Sequence, residues 1–218
     1  MMNQKKIEKE LKAIHNNIEC NIKSTLTGFR RIYKNGSDAD IFAELVFCIL
    51  TPQMKPKHCW DAVLNLRKKD LLLKGSAERI TGGLSSVRFR NKRGEYIAEA
   101  RRLFMENGRI AIKSGIDAFG NPHDARKWFV KNIKGIGYKE ASHFLRNIGK
   151  GSDFAILDRH ILKNICLLGL IKEMPVSISE KKYIAIEEDM RLFAKEISIP
   201  LSHLDLVMWY KETGFIFK

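Results

Sequence analysis

Cysteine is scarce in this chain and poorly spaced for metal binding. Cys20, Cys48, Cys59 and Cys166 are the only four among 218 residues, separated by 28, 11 and 107 positions, and none forms a CxxC pair. That spacing argues against a zinc ribbon or a four-cysteine iron–sulfur cluster. Cys48 lies in the apolar run Leu45-Val46-Phe47-Cys48-Ile49-Leu50, so the cysteines read as reduced, mostly buried thiols of a cytoplasmic protein. Long apolar runs are also missing. No stretch approaches the roughly eighteen residues of a membrane span, and Met1-Met2-Asn3-Gln4-Lys5-Lys6 leads into a charged pattern rather than a signal peptide. Neither convincing period-two alternation nor an internal repeat nor a low-complexity linker is present, which disfavours sheet and solenoid architectures.

Acidic residues are in deficit too. Lys and Arg number 39 against 25 Asp and Glu, a formal net charge of +14, while 44% of residues are hydrophobic. The chain therefore buries a core and presents a surface suited to a polyanion. The excess is uneven: residues 84–150 carry 15 basic against 6 acidic side chains, whereas residues 151–218 carry 9 against 10. Charge spread over a long, glycine-punctuated segment fits a phosphate-binding surface better than one basic membrane helix.

Helical periodicity dominates. Asp38 to Leu50 reads as a central buried helix ending before Pro52, and further helices are predicted over Lys57–Lys68 and Lys92–Met105. In the last of these Tyr96, Ile97, Ala100, Leu103 and Phe104 are expected on one buried side. Asn121-Pro122 is a helix start. Later helices are expected over Asp158–Leu168, Ser179–Ile197 and Pro200–Thr213. The fold class is all-α.

The most informative segment is Val130-Lys131-Asn132-Ile133-Lys134-Gly135-Ile136-Gly137-Tyr138-Lys139-Glu140-Ala141. A helix is expected to end at Ile133, turn through Gly135-Ile136-Gly137 and restart. Glycine at both positions allows positive φ and close approach, and unpaired amides beside Lys131 and Lys134 would form an anion site for a DNA phosphate. The phrase resembles the helix-hairpin-helix motif, in the version found in DNA glycosylases of that superfamily. Lys139 matches the nucleophilic lysine of bifunctional members, and Asp158 in Ile156-Leu157-Asp158-Arg159-His160 matches their catalytic aspartate. The chemistry is coherent. A lysine amine attacks only when neutral, and positive neighbours with partial desolvation favour that form. A nearby carboxylate stabilises positive charge developing on the sugar. Taken singly, Lys139 also reads as one more phosphate contact and Asp158 as a helix N-cap.

Length, the phrase Cys48-Ile49-Leu50-Thr51-Pro52-Gln53, the basic segment Arg88-Phe89-Arg90-Asn91-Lys92-Arg93 and the C-terminal end narrow the likeness to the archaeal-type (type 2) 8-oxoguanine DNA glycosylase/AP lyases. The resemblance implies two helical subdomains with the active site in the cleft between them. We place one at 38–155, holding the hairpin at about 121–149, and the other at 1–37 with 156–218. It implies base-excision repair of duplex DNA containing 8-oxoguanine by a monomer. Lys131, Lys134, Gly135, Gly137 and His160 would hold the backbone. Pro52 and Gln53 would offer a carbonyl to the N7–H of the oxidised base, Trp209 and Phe89 would supply aromatic faces, and the terminal Lys218 would take part in recognition. Trp209 and Phe89 also read as ordinary packing. The resemblance implies no redox cofactor or catalytic metal, and it is the resemblance alone that suggests a monovalent cation on the hairpin carbonyls. Two alternatives stay open: a superfamily lyase for oxidised pyrimidines or abasic sites, and a non-catalytic hairpin module that only binds DNA.

Overall fold

A computed structural model describes residues 2–218, with side chains from residue 4. The fold is all-α apart from one miniature hairpin, in which β1 (Met105–Glu106) pairs antiparallel with β2 (Arg109–Ile110). Its turn is Asn107-Gly108, both at positive φ, the dipeptide best suited to a two-residue hairpin. No helix among the described residues is long and apolar enough to cross a membrane.

The chain divides into two compact units, Met1–Gly28 with Gly151–Lys218 and Phe29–Lys150. These boundaries precede those expected from the sequence, at 37/38 and 155/156. The end of α1 (Met2–Asn35) belongs to the second unit because Phe29 lies under the Arg146 guanidinium, 5.5 Å from the ring centre. Gly149, at φ +72°, also approaches Arg30 so closely that a Cβ would meet its Cα at 2.7 Å. Residues 151–155 belong to the first unit because the backbone of Ala155 is bonded to side chains of α11 (Glu180–Glu196).

In the first unit, α1 contributes a buried stripe of Ile7, Leu11, His15, Ile18, Ile22 and Leu26 at helical spacing. α10 (Arg159–Leu167) and α11 both pack on α12 (Leu201–Thr213).

The centre of the second unit is α2 (Asp38–Leu50), in which every residue from Ile41 to Leu50 is buried. Ser37 and Asp40 close a capping box at its start. α3 (Pro56–Lys68), α6 (Arg90–Leu103), α7 (Ile112–Asp117) and α9 (Tyr138–Asn147) pack around it, while α4 (Leu71–Lys74) and α5 (Ala77–Gly83) buttress α3 and α6. Buried Glu44 of α2 accepts a hydrogen bond from Asn147 of α9 at 3.2 Å. Leu103 departs from expectation: it is 53% exposed while Ile97, Ala100 and Phe104 are buried. At about 100° per residue Leu103, the last residue of α6, stands roughly 120° round the helix from Ile97, at the edge of the stripe, whereas Phe104 and Ala100 stay near its centre.

Candidate active site

α8 (Pro122–Asn132) starts as expected, with the Asn121 side chain accepting from the Asp124 amide. Its C-cap is Ile133, and the chain turns through Lys134 to Gly137 into α9. Ile136 is buried, and its amide donates to the Ile133 carbonyl at 3.3 Å. The two glycines do different work. Gly135 has φ +81°, and a Cβ there would lie 2.7 Å from the Tyr96 ring of α6, so both conformation and space demand glycine. Gly137 is extended (φ −102°, ψ −171°), a conformation any residue adopts, and a Cβ would meet only Glu140 Oε2 at 3.3 Å. Positive φ at both positions is therefore not what the turn uses.

The amides also differ from expectation. Gly137 N–H donates to Glu140 Oε2 at 3.1 Å, because a carboxylate at the third helical position reaches back to the first unpaired donor. The Gly135 amide donates to no acceptor among the described residues. Lys131 is exposed, whereas the exposed Lys134 is held by Glu99 of α6 at 3.0 Å. A phosphate would therefore exchange with Glu99 for Lys134, a cheap exchange at an exposed pair.

Lys139 follows one residue into α9 and is partly sheltered, its side chain 23% exposed and its Nζ 3.7 Å from Glu140 Oε1. Cys48 and Cys59 lie within electrostatic reach of it. Burial pushes the Cys48 thiol well up and the Cys59 thiol to about 11, so both stay protonated at neutral pH.

The Pro52–Gln53 turn is held from beneath by Arg93. Arg93 is 5% exposed, and its guanidinium donates to the Leu50 carbonyl at 2.5 Å and also to the Pro52 carbonyl. Cys59 Sγ donates to the Leu50 carbonyl too, at 3.2 Å. The Pro52 carbonyl thus has one lone pair engaged inside the protein. Gln53 is exposed and held at φ 58°. Phe89 shares that left-handed conformation (φ 55°), stands 58% exposed at the N-cap of α6 and lies under Arg88. Two non-glycine residues in this region, both exposed, are stored strain of the kind that functional loops carry.

Asp158 belongs to the first unit. Its Oδ1 accepts from the amides of His160 and Ile161 at 2.8 and 2.9 Å, so it N-caps α10. One oxygen holds the helix start and leaves the carboxylate fixed in orientation. The extended approach to it is gripped by α11: Tyr183 Oη donates to the Ala155 carbonyl at 2.6 Å and accepts from the Leu157 amide, while Glu187 accepts from the Ala155 amide at 3.0 Å.

Trp209 of α12 meets His160 edge-on at 5.2 Å and Phe215 at 6.4 Å. Gly214, at φ 78°, ends α12 and turns the tail back, and Thr213 Oγ1 donates to the Phe215 carbonyl. The Trp209 indole Nε1 is buried without an acceptor among the described residues. His160 Nδ1 lies 3.9 Å from Glu212, so its surroundings here are Trp209 and a carboxylate. Lys218, at the end of this tail, is half-buried.

A family model described as 8-oxoguanine DNA glycosylase matches residues 22–199. An 8-oxoguanine DNA glycosylase/AP lyase from Methanocaldococcus jannaschii is 41% identical over the full length of both chains. The chain belongs to the archaeal-type 8-oxoguanine DNA glycosylase family. A namesake from Fusobacterium nucleatum is 45% identical over 96% of both sequences. The crystal structure of the Thermotoga maritima 8-oxoguanine DNA glycosylase superposes with a TM-score of 0.85, at 34% identity, covering 99% of this chain and 100% of that one. The M. jannaschii 8-oxoguanine glycosylase/lyase in complex with a 15mer DNA containing 8-oxoguanine superposes with a TM-score of 0.87, at 38% identity, with full coverage of both chains.

For this glycosylase, sequence reading alone overlooks several residues that position the site. Arg93 reads as part of a basic DNA-facing segment yet is buried, as are Arg126 and Arg146, so three of the fifteen basic side chains in residues 84–150 face inward. Glu140 was legible as the third helical residue after an N-cap, the position from which a carboxylate reaches back. Tyr183 and Glu187 left no signal beyond helical periodicity.

Proposed function

We propose that the glycosylase and lyase steps of this family run here on Lys139 and Asp158. Lys139 carries the reading: a partly sheltered amine, beside two protonated thiols, on the helix that the hairpin opens. The neutral amine attacks C1′ of the lesion nucleotide, the N-glycosidic bond breaks and the oxidised base leaves with the bonding pair. The Asp158 carboxylate, oriented by its cap bonds, stabilises the positive charge developing on the sugar. Ring opening gives a Schiff base between Nζ and C1′. Loss of a C2′ proton then expels the 3′ phosphate by β-elimination, and water releases the lysine.

Duplex DNA is held at the hairpin by the Gly135 amide, Lys131 and, after release from Glu99, Lys134. Gln53 reads the added N7–H through a carbonyl, and Trp209 with the folded tail and Lys218 forms the stacking side of the base site. Unstacking the base costs a few kcal/mol, offset by these contacts. The test is single-turnover incision of a panel of duplexes carrying 8-oxoguanine, an oxidised pyrimidine or an abasic site. Preference for 8-oxoguanine with a β-elimination product is expected. Preference for an oxidised pyrimidine would assign another lesion, and binding without incision would leave a DNA-binding module.

A further inference from the structure

One cluster of metal-ligating side chains among the described residues has no part in this chemistry. His15 and Glu19, four residues apart, lie on one face of α1, and His203 stands in the first turn of α12. His15 Nε2 faces His203 Nδ1 at 3.0 Å, with the rings inclined at 44°. Both histidines are 8% exposed. Each histidine offers a ring nitrogen and Glu19 a carboxylate oxygen, all three within 4.8 Å of one another. A tetrahedral ion bound at about 2.0–2.1 Å holds two imidazole nitrogens roughly 3.3 Å apart, so small ring movements convert this pair into ligands.

The simplest competing arrangement is an N–H···N hydrogen bond between two packed rings. That hydrogen bond needs no carboxylate, yet Glu19 presents an oxygen within 4.8 Å of a ligand nitrogen of each histidine. Glu19 is held instead by Lys23 at 2.8 Å, through side chains 40% and 62% exposed, so the lysine is displaced at little cost. Two imidazoles and one carboxylate suit a borderline divalent ion such as zinc or cobalt.

We propose that His15, Glu19 and His203 bind one divalent transition-metal ion with water in the fourth position, joining α1 to α12. On binding, the proton shared between the facing nitrogens moves to the far nitrogen of its own ring. Both lone pairs then face the ion and nothing changes oxidation state. Because α12 carries Trp209 and the tail, the ion braces the helix that presents them.

The experiment uses the full chain stripped with chelator, titrated with zinc by calorimetry and with cobalt by visible absorption. One ion per chain, a tetrahedral-type cobalt spectrum and a raised thermal midpoint are expected. His203→Gln weakens binding by about 100-fold or more and Glu19→Gln by about tenfold, while His58→Gln, an exposed histidine of α3, changes nothing. Absence of saturable one-to-one binding overturns the proposal, as does unchanged affinity in Glu19→Gln. That half-exposed position decides the matter should His203→Gln fail to fold.

Discussion

Replacing each hairpin glycine by alanine separates what holds the turn from what meets DNA. Gly135→Ala forces a Cβ into a left-handed conformation, costing about 1–2 kcal/mol, and drives it to 2.7 Å from the Tyr96 ring, which must move. A total of about 2–3 kcal/mol is expected. At roughly 2–4 °C per kcal/mol for a chain of this size, the melting midpoint falls by about 4–12 °C. Gly137→Ala meets no such penalty, since its backbone is extended and only Glu140 Oε2, at 3.3 Å, needs to yield. Its stability should stay within about 0.5 kcal/mol of the parent. If a phosphate sits against Gly137, however, the added methyl stands in its way, and affinity for duplex falls about tenfold or more. Urea unfolding gives the first quantity, and fluorescence anisotropy with a labelled duplex gives the second. A Gly135→Ala variant as stable as the parent refutes the strain argument. A Gly137→Ala variant that binds DNA like the parent refutes a phosphate seat against Gly137 and leaves the Gly135 amide, Lys131 and Lys134 as the hairpin's contacts.

Other consequences follow from the same contacts. Arg93→Leu removes two charge-assisted bonds to the Leu50 and Pro52 carbonyls, so it should lower stability by about 3 kcal/mol and raise KM more than it lowers kcat, as steady-state incision will show. Burial alone would raise the Glu212 carboxyl, but Lys163, Asn164 and Lys211 outweigh it and hold it below its ordinary value. Its contribution to stability is therefore present above the ordinary carboxylate range and lost as pH falls through the lowered value. Glu212→Gln should accordingly be less stable than the parent at pH 7, and the two should converge in acid melts. Deleting Lys218 should reduce selection of 8-oxoguanine over guanine more than general duplex affinity, and equal losses would remove the tail from recognition. Raising salt should weaken duplex binding with a log–log slope of about −0.9 per phosphate contacted, and a flat response would contradict the basic surface.

How much of this was legible in the sequence differs from residue to residue. The hairpin announced itself through the whole run from Ile133 to Ala141, apolar-Lys-Gly-Ile-Gly-x-Lys-x-Ala, whereas Gly-Ile-Gly alone fits any corner between helices. The Asp158 cap was legible as an acidic residue before an apolar-periodic run. What separates Gly135 from Gly137 was not, since both are glycine and only the approach of Tyr96 distinguishes them. Arg93 misled for a physical reason: arginine normally reads as surface charge, and only the fold brings two buried carbonyls to its guanidinium. The left-handed backbones of Gln53 and Phe89 carry no local signature. The Asn107-Gly108 turn and the α1 stripe from Ile7 to Phe29 carry signals of their own, a dipeptide and a helical spacing, although neither element was among those expected.

The central claim is that Lys139 is the nucleophile. Incubation with 8-oxoguanine duplex in the presence of borohydride reduces any Schiff base to a stable amine, and peptide mass mapping then locates the attached sugar. A cross-link on Lys139 that disappears in Lys139→Gln, with duplex binding retained, is the predicted result. A cross-link that persists in that variant, or that maps to another lysine, contradicts the account.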